Sequence, residues 1–243
     1  HSYKVIFLSQ VMNYGAKTPN KNLFDLSYIK KYNPRMLTPN GEKMMYTLGE
    51  QLKIDYPDIF NKTYNHKRVS VYCSHDPYSQ LSAIAVLMGL FNASDNVIVH
   101  TGAEKDKLTL PPFEGSSTTE NLNTSLPYGF KPFILNVENK QEDFLFINSL
   151  ESVCPKAQRI VDQHKTRKVA ILNTRANELG DYLNKKGVDS RNYFNSMTYS
   201  SEQMFQFYDQ LHSYYYETSE LFKNMSLEEY KKLEIFSGMY RTA

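Results

Sequence analysis

The sequence has no stretch approaching the roughly 18 uninterrupted apolar residues that a membrane-crossing helix needs. It has only two cysteines, Cys73 and Cys154, too few for a disulfide framework. It also has no long run of one charge. Its 28 basic and 26 acidic side chains leave a formal charge of +2, which gives no field to draw in nucleic acid or anionic lipid, and neither partner is expected. Apart from His75, none of its histidines has a carboxylate or cysteine at metal-ligand spacing, so no metal site is expected, and no cofactor is expected either. No internal repeat is visible.

What is present is a globular composition. Aromatic residues make up 14% of the chain and tyrosine alone fills 19 positions, which excludes a disordered or low-complexity chain. A length of 243 residues suits one domain with an elaborated cap, or two small domains. The chain starts on a strand-like segment, Tyr3-Lys4-Val5-Ile6-Phe7-Leu8, so the expectation is that any signal peptide has been removed or was never present. Four Asn-x-Ser/Thr acceptors, beginning at Asn61, Asn92, Asn123 and Asn224, lie in polar, turn-like surroundings. They set the expectation of a glycoprotein, either extracellular or in a secretory or lysosomal lumen. Cys73, in an apolar strand, reads as a buried thiol.

The first hundred residues alternate strand and helix. A strand is expected at about 3–9, followed by a polar loop and a helix. Thr38 can cap that helix, Pro39 suits its first position, and Met45, Leu48 and Leu52 recur along one face. A second strand over 68–73 leads through a proline turn into 81–91, a helix apolar nearly all round that should be buried. Short connections in this order predict a parallel, right-handed α/β sheet. Residues 101–129 read as an exposed excursion, and strand pairing is expected to resume over 130–137. Beyond Cys154 helices are expected at 157–163, at 170–186 and from 201 to about 222, the last with Met204, Tyr208 and Leu211 facing a core.

Several ordered segments carry a family resemblance. The first strand runs into Asn13-Tyr14-Gly15-Ala16-Lys17-Thr18-Pro19. Leu37-Thr38-Pro39-Asn40-Gly41 precedes the helix from Met45 to Leu52, and Ser82-Ala83 runs on to Gly89-Leu90-Phe91. Gln141-Glu142-Asp143-Phe144-Leu145 is followed by Cys154-Pro155. Together these resemble the histidine acid phosphatases, branch 2 of the histidine phosphatase superfamily. Members of that family carry a strand entering Arg-His-Gly-x-Arg-x-Pro, an L-T-P-x-G helix, an S-A-x-x-x-L-x-x-L-F helix, an E-D-x-L segment and a C-P that opens a cap. The resemblance implies an α/β fold: a mostly parallel sheet flanked by helices, as in the phosphoglycerate-mutase-like core, with a helical cap. Residues 1–153 would be the first part of the core and 154–243 the cap region, with the remainder of the core lying outside this segment. It further implies that Cys154 pairs with a cysteine outside the segment, and that the missing C-terminal part or a protein partner covers the sheet.

The family hydrolyses phosphomonoesters. A neutral imidazole attacks phosphorus, and guanidinium groups hold the phosphoryl oxygens in forked hydrogen bonds. Under the resemblance the nucleophile falls at Tyr14, whose phenol is un-ionised near neutral pH because phenols titrate near 10. The first arginine falls at Asn13, which supplies no charge, and the second at Lys17, which keeps a charge without the fork. A third falls at Tyr78, or at Ser79 if the turn carries a gap. The frame of Gly15, Thr18 and Pro19 persists. The implied protein is a pseudophosphatase acting as a secreted binding or structural component rather than an enzyme. The alternative is an acid phosphatase with residual or altered activity. Tyr14 is expected to pack rather than to act as a new nucleophile or ligand platform. Lys17, a lone lysine on a polar loop, is expected to be solvated. His75-Asp76 resembles the family's catalytic His-Asp pair. That pair lies downstream of the cap, however, whereas the residues after Asp76 match the early helix, so a turn role accounts for them, and they stand as the alternative catalytic pair.

Overall fold

The computed structural model describes residues 4–19, 33–60, 62–91, 132–138, 154–187, 198–217 and 225–241. Helix α1 spans Pro39–Asp55. Thr38, in extended conformation, accepts a hydrogen bond from Gly41 N on its hydroxyl, and Pro39 stands where a missing N–H costs nothing. Tyr56 closes α1, and Pro57 opens the single turn of α2, Pro57–Phe60. Strand β1, Tyr72–Cys73, feeds α3, Pro77–Leu90, and β2 is Asn136–Val137. The two strands are parallel, with Tyr72 opposite Asn136 and Cys73 opposite Val137.

Helices α1 and α3 meet at glycines. A Cβ on Gly49 would lie 2.2 Å from the Val86 carbonyl oxygen, and one on Gly89 would lie 2.1 Å from that of Tyr46. Around this contact Met45, Leu52, Phe60, Ala85, Val86, Leu87, Leu90 and Phe91 form a first hydrophobic cluster. Tyr64 extends it, edge-on to Phe91 and to Phe133, while its hydroxyl accepts from the Ile134 N–H.

The second half is helical. Helix α4, Pro155–Lys185, is 31 residues and about 46 Å long. Helix α5, Ser201–Tyr215, starts at a capping box between Ser200 and Gln203, and α6 spans Leu227–Arg241. Side chains of α4 pin the start of α5: Asn177 bonds both the N–H and the carbonyl of Tyr199, and Asn173 Oδ1 accepts from Ser201 N. Their shared core includes Ala176, Leu183, Met204, Phe207, Tyr214, Leu233 and Phe236. Each such large apolar side chain contributes roughly 1.5–3 kcal/mol by leaving water.

Several expectations need correction. Residues 4–9 form no strand: Ile6 is 90% and Phe7 79% exposed, and a ladder needs a partner that the described residues do not supply. The separate helices at 157–163 and 170–186 are one, because the intervening residues 164–169 include neither glycine nor proline to break it. The strand at 68–73 shortens to β1, the described part of the one expected at 130–137, residues 132–137, holds only β2, and the helix expected from 81 begins at Pro77. The excursion at 101–129, the 141–145 segment and the stretch beyond 217 up to 222 lie outside the described residues. Among the described residues no helix is long and apolar enough to cross a membrane.

Candidate functional site

The segment Tyr14–Pro19 is threaded between the starts of α1 and α3. Lys17 and Leu37 form an antiparallel bridge. Thr18 N donates to Met36 O at 2.8 Å, and Thr38 N donates to Ala16 O at 3.0 Å. The Thr18 hydroxyl donates to Asn33 O and accepts from Met36 N. Gly15 N donates to Ser82 Oγ, whose own proton goes to Tyr78 O at the first turn of α3. The fit allows no side chain at the crossing, since a Cβ on Gly15 would lie 2.5 Å from Gly41 O and one on Gly41 2.0 Å from Ala16 O. These contacts give the glycine and the threonine structural roles: Thr18 fastens the loop to the 33–36 turn, and Gly15 lets it approach α1.

Three side chains converge on this scaffold. Tyr14 and Tyr78 meet edge-to-face with centroids 4.5 Å apart. The Lys17 ammonium lies 5.7 Å from the Tyr14 ring centroid and 5.4 Å from that of Tyr78, within the range of cation–π attraction. Lys17 is not the solvated lysine expected from its loop. The residue is 4% exposed, and its ammonium reaches both carboxylate oxygens of Asp209 on α5, at 3.3 and 3.4 Å. A buried ammonium without a counter-charge would be costly, and Asp209 supplies that charge. Tyr78 rather than Ser79 takes the facing position, because the Ser79 hydroxyl instead accepts from Ser74 Oγ. Burial, reinforced by the Asp76 charge and by Tyr14, pushes the Tyr78 phenol up to about 12, against the opposing charge of Arg35. Tyr78 is therefore neutral at physiological pH.

A second pair lies beside the first. Asp76 precedes α3 and pairs with Arg35, while His75 Nε2 is 3.9 Å from the same carboxylate. Arg35 has φ 61°, in the left-handed region, and follows Pro34 in the turn that Thr18 fastens. His75 Nδ1 is buried without a hydrogen-bond partner. Asn13 is exposed, and its Oδ1 accepts from Tyr14 N. Cys73 is a buried free thiol whose burial raises its pKa, and Cys154 is exposed and free at the start of α4. Asn61, Asn92, Asn123 and Asn224 lie outside the described residues. Among the described residues no group of three or more metal-ligating side chains exists.

A family profile covers this loop together with nearly all of the chain. The profile described as Histidine phosphatase superfamily (branch 2) matches residues 5–242. The chain belongs to that superfamily. No curated protein matches the chain closely. In this superfamily member Tyr14, Lys17 and Tyr78 lie together, and the sequence offers no pointer to Asp209, which pairs with Lys17, or to Arg35, which pairs with Asp76. Neither carries a local signal: Asp209 is 192 positions from Lys17, and Arg35 occupies an ordinary polar turn.

Proposed function

We propose that this histidine phosphatase is non-catalytic and works as a binding or structural component in an extracellular, secretory or lysosomal compartment, with α4–α6 serving as the cap over the Tyr14–Pro19 loop. The observation that carries this reading is the buried Lys17–Asp209 pair, flanked by Tyr14 and Tyr78. The Lys17 ammonium is paired with a carboxylate of the same chain, and the position of the family's nucleophile holds a ring packed on another ring. Asn13 adds no charge to replace the lost guanidinium.

The test is turnover of a generic aryl phosphate by purified protein from about pH 4 to about 8, where carboxylate and imidazole catalysts titrate. No turnover is expected. Hydrolysis that disappears in Tyr14→Phe would overturn the reading. The hydrolytic alternative draws on the unpartnered Nδ1 of His75 beside Asp76, and it would show as activity lost in His75→Ala but kept in Tyr14→Phe. The triple change Asn13→Arg, Tyr14→His and Lys17→Arg separates simple loss of the catalytic groups, which it would repair, from deeper remodelling.

A further inference from the structure

We infer that Asp209 is a tethered anion that latches α5 onto the Tyr14–Pro19 loop and closes the Lys17 position to anions from solution. The latch rests on the non-catalytic reading and specifies how the remnant pocket is held. A buried ammonium is by its chemistry an anion-binding group, and here the anion is delivered by another element of the same chain.

The geometry of α5 suits this role. Its Met204, Phe207, Tyr208, Leu211 and Tyr214 are buried in the second hydrophobic cluster, so the helix is fixed from behind. Asp209 reaches out of that helix to Lys17. A second polar contact lies at the C-terminal end of α5, where Asn40 Nδ2, at the start of α1, donates to Tyr216 O at 3.0 Å and to Glu217 Oε2 at 3.2 Å. With the helix held at two points, the Asp209 carboxylate presents itself to Lys17 at an effective concentration that free millimolar anions do not match. Tyr14 and Tyr78 flank the ammonium, and the side chains of Lys17 and Asp209 are 5% and 13% exposed. An external anion must therefore displace the carboxylate rather than bind beside it.

Calorimetric titration with inorganic phosphate, at ionic strength matched by chloride, tests the latch on wild type, Asp209→Asn and the double variant Lys17→Met/Asp209→Asn. Wild type is expected to show no binding at millimolar phosphate. Asp209→Asn should bind at least tenfold more tightly than wild type, and the double variant should lose that gain. Equal binding by wild type and Asp209→Asn, or a gain that survives loss of Lys17, overturns the proposal. If Asp209→Asn does not fold, the wild-type titration decides alone: saturable phosphate binding overturns the latch, and its absence upholds it. Wild-type binding without turnover would end the latch while leaving the non-catalytic reading intact. Turnover would end the non-catalytic reading itself.

Discussion

Around α1 and α3 the chain packs backbone against backbone, whereas in α4–α6 it packs side chain against side chain. In the first region Gly49 and Gly89 bring two helices so close that a single Cβ would lie 2.2 or 2.1 Å from a carbonyl oxygen. Gly15 and Gly41 do the same for the loop. In the second region the space is filled by large residues such as Tyr214, Phe207, Phe236 and Leu183, all nearly inaccessible. Close backbone packing fixes position to fractions of an ångström and suits a pocket wall. Interdigitated side chains suit a helical layer whose interior is filled by its own residues. Between the two regions the described contacts include polar ones, Lys17 to Asp209 and Asn40 to Tyr216 and Glu217. A joint of this kind depends on pairing more than on buried area.

The pairing gives the largest expected effect. Lys17→Met or Asp209→Leu alone should cost about 3–5 kcal/mol, because each leaves the other charge buried and unmatched. The double variant Lys17→Met/Asp209→Leu should recover most of that loss, as read from denaturant midpoints. A double variant whose loss equals the sum of the two singles would show that the residues are not coupled, and the joint would then have to be sought elsewhere.

The backbone contact comes next. Gly89→Ala and Gly49→Ala each gain about 1 kcal/mol of helix propensity, yet the new methyl group meets backbone that has no rotamer to yield. Overpacking of this kind costs typically 1–3 kcal/mol, and a Cβ this close to backbone oxygen belongs at the upper end, about 3 kcal/mol, so a net loss of about 2 kcal/mol is expected, with α1 and α3 forced apart. Hydrogen exchange in these two helices would report that separation directly. A neutral outcome at both sites would mean that the contact is looser than its distances indicate.

What the sequence disclosed follows from the range of each interaction. Helix α1 was legible because its cap, its proline and its apolar spacing all lie within a few residues. The loop stood out only through the family resemblance, which rests on the spacing of Gly15, Thr18 and Pro19. The burial of Lys17 was not legible, since its counter-ion is 192 residues away on a helix where a lone aspartate next to Tyr208 reads as an ordinary polar position. The strand expected at 3–9 failed for a related reason. An apolar segment rich in β-formers states a preference, but only a neighbouring strand turns it into a ladder. The middle of α4 is polar and reads as a break between two helices, yet polarity does not end a helix that holds neither glycine nor proline there.

The helix caps offer a smaller contrast between the two regions. The Thr38 hydroxyl accepts from Gly41 N and also donates to Ala16 O, so it fastens α1 and the loop together while 2% exposed. Ser200 accepts from Gln203 N within a self-contained capping box. Thr38→Ala should therefore cost about 2 kcal/mol, and Ser200→Ala about 1 kcal/mol. Equal losses in thermal melts would remove the distinction between a cap that also holds the loop and one that serves only its helix.

The smallest effect is also the one of opposite sign. Gly238 lies inside α6, and a Cβ built there meets nothing within 4 Å, in contrast to Gly89 in α3. Replacing it with alanine adds no clash, restricts the unfolded chain and removes the helix penalty of glycine. Gly238→Ala is expected to stabilise the protein by roughly 0.5–1 kcal/mol, seen as a higher melting temperature. The same Gly→Ala change should thus raise stability in the side-chain-packed region and lower it in the backbone-packed one. If Gly238→Ala destabilises as Gly89→Ala does, that position carries a contact of its own, and the two regions are packed more alike than their glycines suggest.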